Sequence, residues 1–134
     1  MPTPSRIAVF VSLLVALWAD TALAQTLEKT LAGMAAHVSK NLPMMVSADV
    51  QATAVAASGN RIMYKYNVLM SASQINVSQL KKETYENSLN GMCSNPDMAN
   101  LLKQGAVLMY QFSDARNVFL FDIALTQSDC SKKR

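Results

Sequence analysis

The sequence is poor in the residues that most reaction centres need. Its 134 residues include one histidine, two cysteines and only four glycines. A hydrolase triad needs a nucleophile, a base and an orienting acid, a zinc site needs several ligands together, and a phosphate loop needs closely spaced glycines. The sequence contains none of these patterns, and His37 suits the exposed side of a helix. We therefore predict that the protein is not an enzyme and has no catalytic residue, metal or cofactor.

The sequence also has no apolar run long enough to cross a bilayer. The longest run covers residues 7–19, about 13 residues, whereas a membrane-spanning helix needs about 20. Arg6 precedes this run, and the Ala22-Leu23-Ala24 sequence that follows it is typical of a signal-peptide cleavage site. We predict a signal peptide over 1–24 and a periplasmic or secreted protein. The residue directly after the predicted cleavage site is Gln25 and not a cysteine that could carry a lipid, so we expect no stable membrane anchor.

The remaining chain, 25–134, has the length of a single domain. The formal net charge of +3 is spread along the chain and forms no stripe. The densest basic spots are Lys81-Lys82 and the terminal residues 132–134, and both are typical of a solvated surface. We predict no nucleic-acid partner and interpret 25–134 as one domain.

Cys93 and Cys130 are the only cysteines. In an exported protein two cysteines favour a disulfide, and there is no Cys-x-x-Cys spacing or nearby histidine to favour a reactive thiol or a metal pair. The chain-entropy model gives a loop of this length a stabilisation of about 3.5 to 4 kcal/mol. We predict a structural disulfide between Cys93 and Cys130.

The hydrophobic periodicity predicts an α+β domain with one disulfide. The clearest strand follows the Gly59-Asn60 turn, where Ile62 and Tyr64 alternate with polar residues. We expect a four-stranded, largely antiparallel sheet with helices packed on one face, in the order α-β-β-α-α-β-β. The predicted helices cover 26–40, 79–92 and 97–104, and the predicted strands cover 44–57, 61–70, 106–113 and 118–125.

Methionine is unusually frequent, with nine in the sequence. Flexible thioethers fill irregular cores, and the positions of several methionines suit that role. Two others fall on the strand face opposite the aromatic residues, and a further pair follows Pro43 at the start of the first strand. Because methionine-rich surfaces accommodate partner helices, we predict a partner-binding surface formed by Met44, Met45, Met63 and Met109.

A series of features runs along the mature chain: Gly59-Asn60, Ile62-x-Tyr64-x-Tyr66, Cys93 before Asn95-Pro96, Leu101 to Gly105, Tyr110 and Cys130. Their spacing resembles one variety of type II secretion pilotin, a family of small periplasmic proteins that guide secretin subunits to the outer membrane. The resemblance covers most of the mature chain, although the sequence lacks the lipidated cysteine that pilotins usually carry. It implies an α+β scaffold with a structural disulfide that binds a helix of a partner.

These observations favour an exported, non-enzymatic protein-binding module, with a pilotin-like or chaperone-like role in an envelope secretion system. The expected partner is a protein, such as an amphipathic helix of an envelope component. The alternative is a secreted inhibitor of a hydrolase, since small one-disulfide domains also serve that purpose. A small hydrolase with an unrecognised site is a third interpretation, and it would need a pocket joining His37 to a carboxylate.

Overall fold

The structure is a computed structural model that describes residues 26–132. The predicted signal peptide over 1–24 therefore lies outside the described residues. Helix α1 is described over 26–39, and the helices after it are α2 (Val77–Ser94), α3 (Pro96–Lys103) and α4 (Gln127–Ser131). A single 3-10 turn occupies Ala72–Gln74. None of the helices within 26–132 has the length and apolar character needed to cross a membrane.

Five strands form one mixed sheet in the order β1-β2-β3-β4-β5. Neighbouring strands are antiparallel except for β3 and β4, which run parallel. The predicted four-stranded, largely antiparallel sheet was therefore wrong. The two helices between β3 and β4 carry the chain back to the end of the sheet where β3 began, so β4 lies parallel to β3. The strands are β1 (Met44–Met45), β2 (Val50–Ser58), β3 (Arg61–Val68), β4 (Val107–Ser113) and β5 (Phe119–Leu125).

The strand predicted over 44–57 is broken into β1 and β2, which pair with each other. A bulge between Ala52 and Ala54 then shifts the register of β2 against β3. A bulge moves every later side chain to the opposite face. Val55 packs against the core as a result, and Ala56 is exposed. Strict alternation from Val50 would instead have placed Ala54 and Ala56 on the core side.

The core lies on one side of the sheet, which we call the covered face. A row of buried residues crosses three strands there, because Ile62 pairs with Leu108 and Leu108 pairs with Leu125. Helices α1, α2 and α3 all contribute buried residues to the same cluster, including Leu31 and Leu102. The other side of the sheet, which we call the open face, carries no helix within residues 26–132.

Local hydrogen bonds determine where the crossover helices begin. The Asn76 side chain accepts a hydrogen bond from the backbone N–H of Gln79 at 3.1 Å, so α2 starts before the predicted position at residue 79. Asn95 caps α3 by accepting from Asp97 N–H at 3.0 Å. Pro96 occupies the first turn, where its missing N–H costs nothing. The helix predicted over 97–104 is confirmed, with its ends shifted by one residue to Pro96–Lys103.

The end of the chain is tied to α2 by a disulfide and a hydrogen bond. Cys93 and Cys130 form the predicted bond, with their Cα atoms 5.5 Å apart. The Tyr85 hydroxyl donates to Asp129 Oδ1 at 2.8 Å, and Asp129 Oδ2 accepts from the N–H of Thr126 at 2.8 Å. These contacts hold α4, a short polar helix that the sequence pattern did not predict.

Candidate functional site

The structure brings together two of the four predicted binding methionines. Met63 on β3 and Met109 on β4 are direct cross-strand neighbours, and both point to the open face. Met45 pairs with Gln51 and shares the open face, but it lies beside the far end of β3. Met44 pairs with buried Ala52 and so belongs to the covered face. The four methionines therefore do not form one surface.

Met63 and Met109 lie in a shallow depression of about 570 Å³ on the open face. Both side chains are half-buried by their neighbours on the sheet. Arg61 and Lys65 line the same depression and are exposed. We call the set Arg61, Met63, Lys65 and Met109 the methionine patch.

The charge around the methionine patch is positive and unpaired. Neither Arg61 nor Lys65 forms an ion pair with a carboxylate among the described residues. Both residues belong to β3. Arg61 lies two positions before Met63 and Lys65 lies two positions after it, so their charges flank the Met63 thioether on the same face of the strand. The patch thus combines an apolar centre with cationic flanks, which suits an apolar surface bordered by acidic groups.

A large aromatic residue, Phe119, lies on the open face at the other end of β5, and the Gln111–Asp122 pair separates it from Met109. Simple alternation along β5 would bury Phe119 together with Phe121 and Ile123, but its side chain is 53% exposed. A bulge shifts the register between β4 and β5 so that Ser113 pairs with Phe119, and this shift places Phe119 on the open face. Sequence alternation alone contains no signal for that shift.

The covered face carries a stack of aromatic rings that accounts for the tyrosine-rich strand pattern. The ring of Tyr110 lies 5.6 Å from that of Tyr64 and 5.9 Å from that of Tyr66. Burial, reinforced by the neighbouring Tyr64, raises the pKa of Tyr66 to about 12, and burial also raises the pKa of Tyr110. These phenols remain protonated near neutral pH. They therefore act in packing and hydrogen bonding.

The described residues offer no arrangement typical of a metal centre. Within 26–132 no three histidine, cysteine or acidic residues lie close enough to hold a metal ion. His37 is exposed on α1. The two cysteines are joined in the disulfide and titrate no proton. The methionine patch, which brings Met63 and Met109 together in one depression, is the candidate site.

Comparison with known proteins identifies a family and a shared fold. A family model described as "Putative quorum-sensing-regulated virulence factor" matches residues 20–131. No curated protein matches the sequence. A crystal structure of a "putative secreted protein" from Pseudomonas aeruginosa is similar with a TM-score of 0.69 and 21% identity, covering 81% of this chain and 96% of that one.

Two pilotins are similar to the same extent. The pilotin EpsS of the Vibrio vulnificus type 2 secretion system gives a TM-score of 0.70 and 18% identity, covering 82% of this chain and 96% of its own. The type II secretion system pilotin AspS of Vibrio cholerae gives 0.65 and 17%, covering 82% and 97%. The resemblance to pilotins that the sequence suggested is confirmed at the level of the fold.

Proposed function

The chain belongs to the family described as "Putative quorum-sensing-regulated virulence factor", and on that premise we propose that it is an exported, non-enzymatic protein-binding module. We assign it a pilotin-like accessory role in an envelope secretion system. The pilotin fold supports this role. The observation that carries it is the methionine patch, an apolar surface with unpaired cationic flanks on a sheet face that no described helix covers.

The partner that suits this surface is an amphipathic helix with acidic residues beside its apolar stripe. The same sheet already packs helices on its covered face, so its twist and strand spacing accept a helix. Met63 and Met109 supply two adjacent flexible side chains that adjust to the ridges of a helix. Carboxylates on the helix would meet Arg61 and Lys65, which favours rapid association at low salt.

The test replaces both thioethers by amides of similar length. We expect the Met63→Gln/Met109→Gln variant to bind the captured partner at least about tenfold more weakly, because each methionine loses roughly 1 kcal/mol or more of apolar burial. Affinity capture from envelope extracts identifies the partner, and isothermal titration with the purified partner then measures the dissociation constant. Circular dichroism checks that the variant is folded.

Met44→Gln is the matched control, because it makes the same chemical change at an exposed methionine on the other face of the sheet. It should leave the dissociation constant unchanged. A double variant that binds as tightly as the wild type would refute the assignment of the patch. A partner whose binding is lost in Met44→Gln instead would place the site on the covered face.

A further inference from the structure

The two edges of the sheet are protected to different degrees. The outer side of β2 is partly covered by β1, bent by the bulge at Ala52, and capped where the Ser39 hydroxyl donates to the Val55 carbonyl at 3.4 Å. Proteins use such devices to prevent an edge strand from pairing with another chain. The outer side of β5, by contrast, has no backbone partner among residues 26–132.

The sequence of β5 does little to block a further strand. Phe119–Leu125 contains no proline, glycine or lysine, which are residues that discourage edge pairing. Its one charged residue is Asp122 at the centre, and Asp122 is exposed. Beyond the bulge near Ser113, residues 121–125 pair regularly with β4 and therefore present a regular edge whose length is close to that usual for a strand.

A trench of about 470 Å³ runs beside this edge, between β5 and α2. Asp122 and Ala124 point to the open face, whereas Ile123 between them is buried on the covered face. A concavity that touches these three residues together with α2 must lie along the outer edge of β5, because β4 occupies the inner edge. The α2 residues that line it are Ser78, Lys81, Lys82 and Tyr85.

The α2 wall of the trench is positively charged. Lys81 and Lys82 are exposed and form no ion pair among the described residues. The Tyr85 hydroxyl is already donated to Asp129. Successive side chains of a strand point in opposite directions, so alternate residues of an added strand would face the two lysines, and the others would lie on the side of Asp122.

We propose that the β5 edge binds an extended acidic segment of a partner protein as a sixth strand of the sheet. Main-chain hydrogen bonds to β5 hold the segment, and acidic side chains at alternate positions approach Lys81 and Lys82. This site is separate from the methionine patch and does not depend on it. A partner could contact both surfaces, since both involve the same sheet.

The charge at the centre of β5 argues against a second copy of this chain as the occupant. Asp122 is the middle residue of Phe119–Leu125, so an antiparallel pairing of two β5 strands in their central register would place two Asp122 carboxylates opposite each other. Like charges directly opposite across strands are destabilising. An acidic segment of a different protein avoids this contact when its carboxylates lie on the side of Lys81 and Lys82, away from Asp122.

The test uses a blocked heptapeptide of alternating valine and glutamate as the probe, with a valine–lysine peptide of the same length as its control. Amide hydrogen exchange of the purified protein, followed by NMR, should slow at alternate residues of β5 when the glutamate peptide is added. The Lys81→Ala/Lys82→Ala variant should bind that peptide about tenfold more weakly at low salt, since each exposed ion pair changes an equilibrium constant by up to about fivefold.

Lys29→Ala/Lys103→Ala is the matched control, because it removes two exposed lysines from α1 and α3, and it should bind the glutamate peptide as the wild type does. Unchanged exchange in β5, or equal binding of the two peptides, would overturn the proposal. Protection of the β5 amides that occurs without peptide and increases with protein concentration would also overturn the proposal. It would show that a second copy of the chain occupies the edge.

Discussion

Removing the disulfide should cost a large part of the stability of this fold. The bond joins residues separated by 37 positions, and in the chain-entropy model a loop of that size lowers the entropy of the unfolded chain by about 13 cal/mol/K. At 25 °C this corresponds to about 3.8 kcal/mol. Domains of this size are stable by only about 5 to 15 kcal/mol in total.

The perturbation is the double variant Cys93→Ala/Cys130→Ala, which leaves no free thiol. Guanidinium unfolding followed by circular dichroism measures the free energy of unfolding, and we expect a decrease of about 3 to 4 kcal/mol. The variant should still fold, because the hydrogen bond from Tyr85 to Asp129 and the cap at Thr126 continue to hold α4. The wild type treated with a reductant should reproduce the variant.

A loss of less than about 1 kcal/mol would refute this reasoning. It would mean that the unfolded chain is already compact between residues 93 and 130, so that closing the loop removes little entropy. A loss of all folded structure would also contradict it, since the core cluster on the covered face contains many buried residues that do not touch the bond.

Two further predictions concern the core and α4. Leu31→Ala should lower the free energy of unfolding by about 3 to 5 kcal/mol in the same assay, because Leu31 is fully buried against the covered face and its loss leaves a cavity. For Asp129, desolvation opposes ionisation, but hydrogen bonds from Thr126 and Tyr85 outweigh it and lower the pKa below its ordinary value of 3.8. A group whose pKa is lowered in the folded state stabilises the fold above its ordinary pKa, and this stabilisation is lost as the pH falls through the folded-state pKa. The free energy of unfolding measured from pH 6 to pH 2 should therefore fall less steeply in Asp129→Asn than in the wild type.

The elements with strong periodicity could be predicted from the sequence. The alternation at Ile62 and Tyr64 identified β3, and the Asn95-Pro96 pair identified the start of α3, because in each case a local physical preference coincides with the tertiary environment. The disulfide followed from counting cysteines in a chain with a predicted signal peptide. The α+β class was correct for the same reasons, since the order of helices and strands was largely visible, whereas the strand number and the pairing directions were not.

The errors arose where strand pairing decides the structure. The bulges near Ala52 and Ser113 reverse the faces of Val55 and Phe119, and no residue type marks them in the sequence. The parallel pairing of β3 with β4 depends on how the crossover packs, which periodicity does not encode. For the candidate site, alternation along the strands was enough to place Met63 and Met109 on the same face of the sheet. Met44 and Met45 lie on different faces, because adjacent residues of a strand point in opposite directions.

The parallel pair also constrains the order in which the sheet can be completed. The first three strands are neighbours in sequence. The second edge of β3, however, stays unpaired until β4 is present, since Arg61 pairs with Val107. While the chain is being synthesised from its N-terminus, β3 is a free edge, and Tyr64 and Tyr66 lack the rings of Tyr110 and Phe112 that stack on them in the finished fold. Closing such a distant contact is slow compared with forming a hairpin. A chain truncated before Val107 would keep the unpaired β3 edge permanently. The incomplete protein is therefore the form most prone to aggregation.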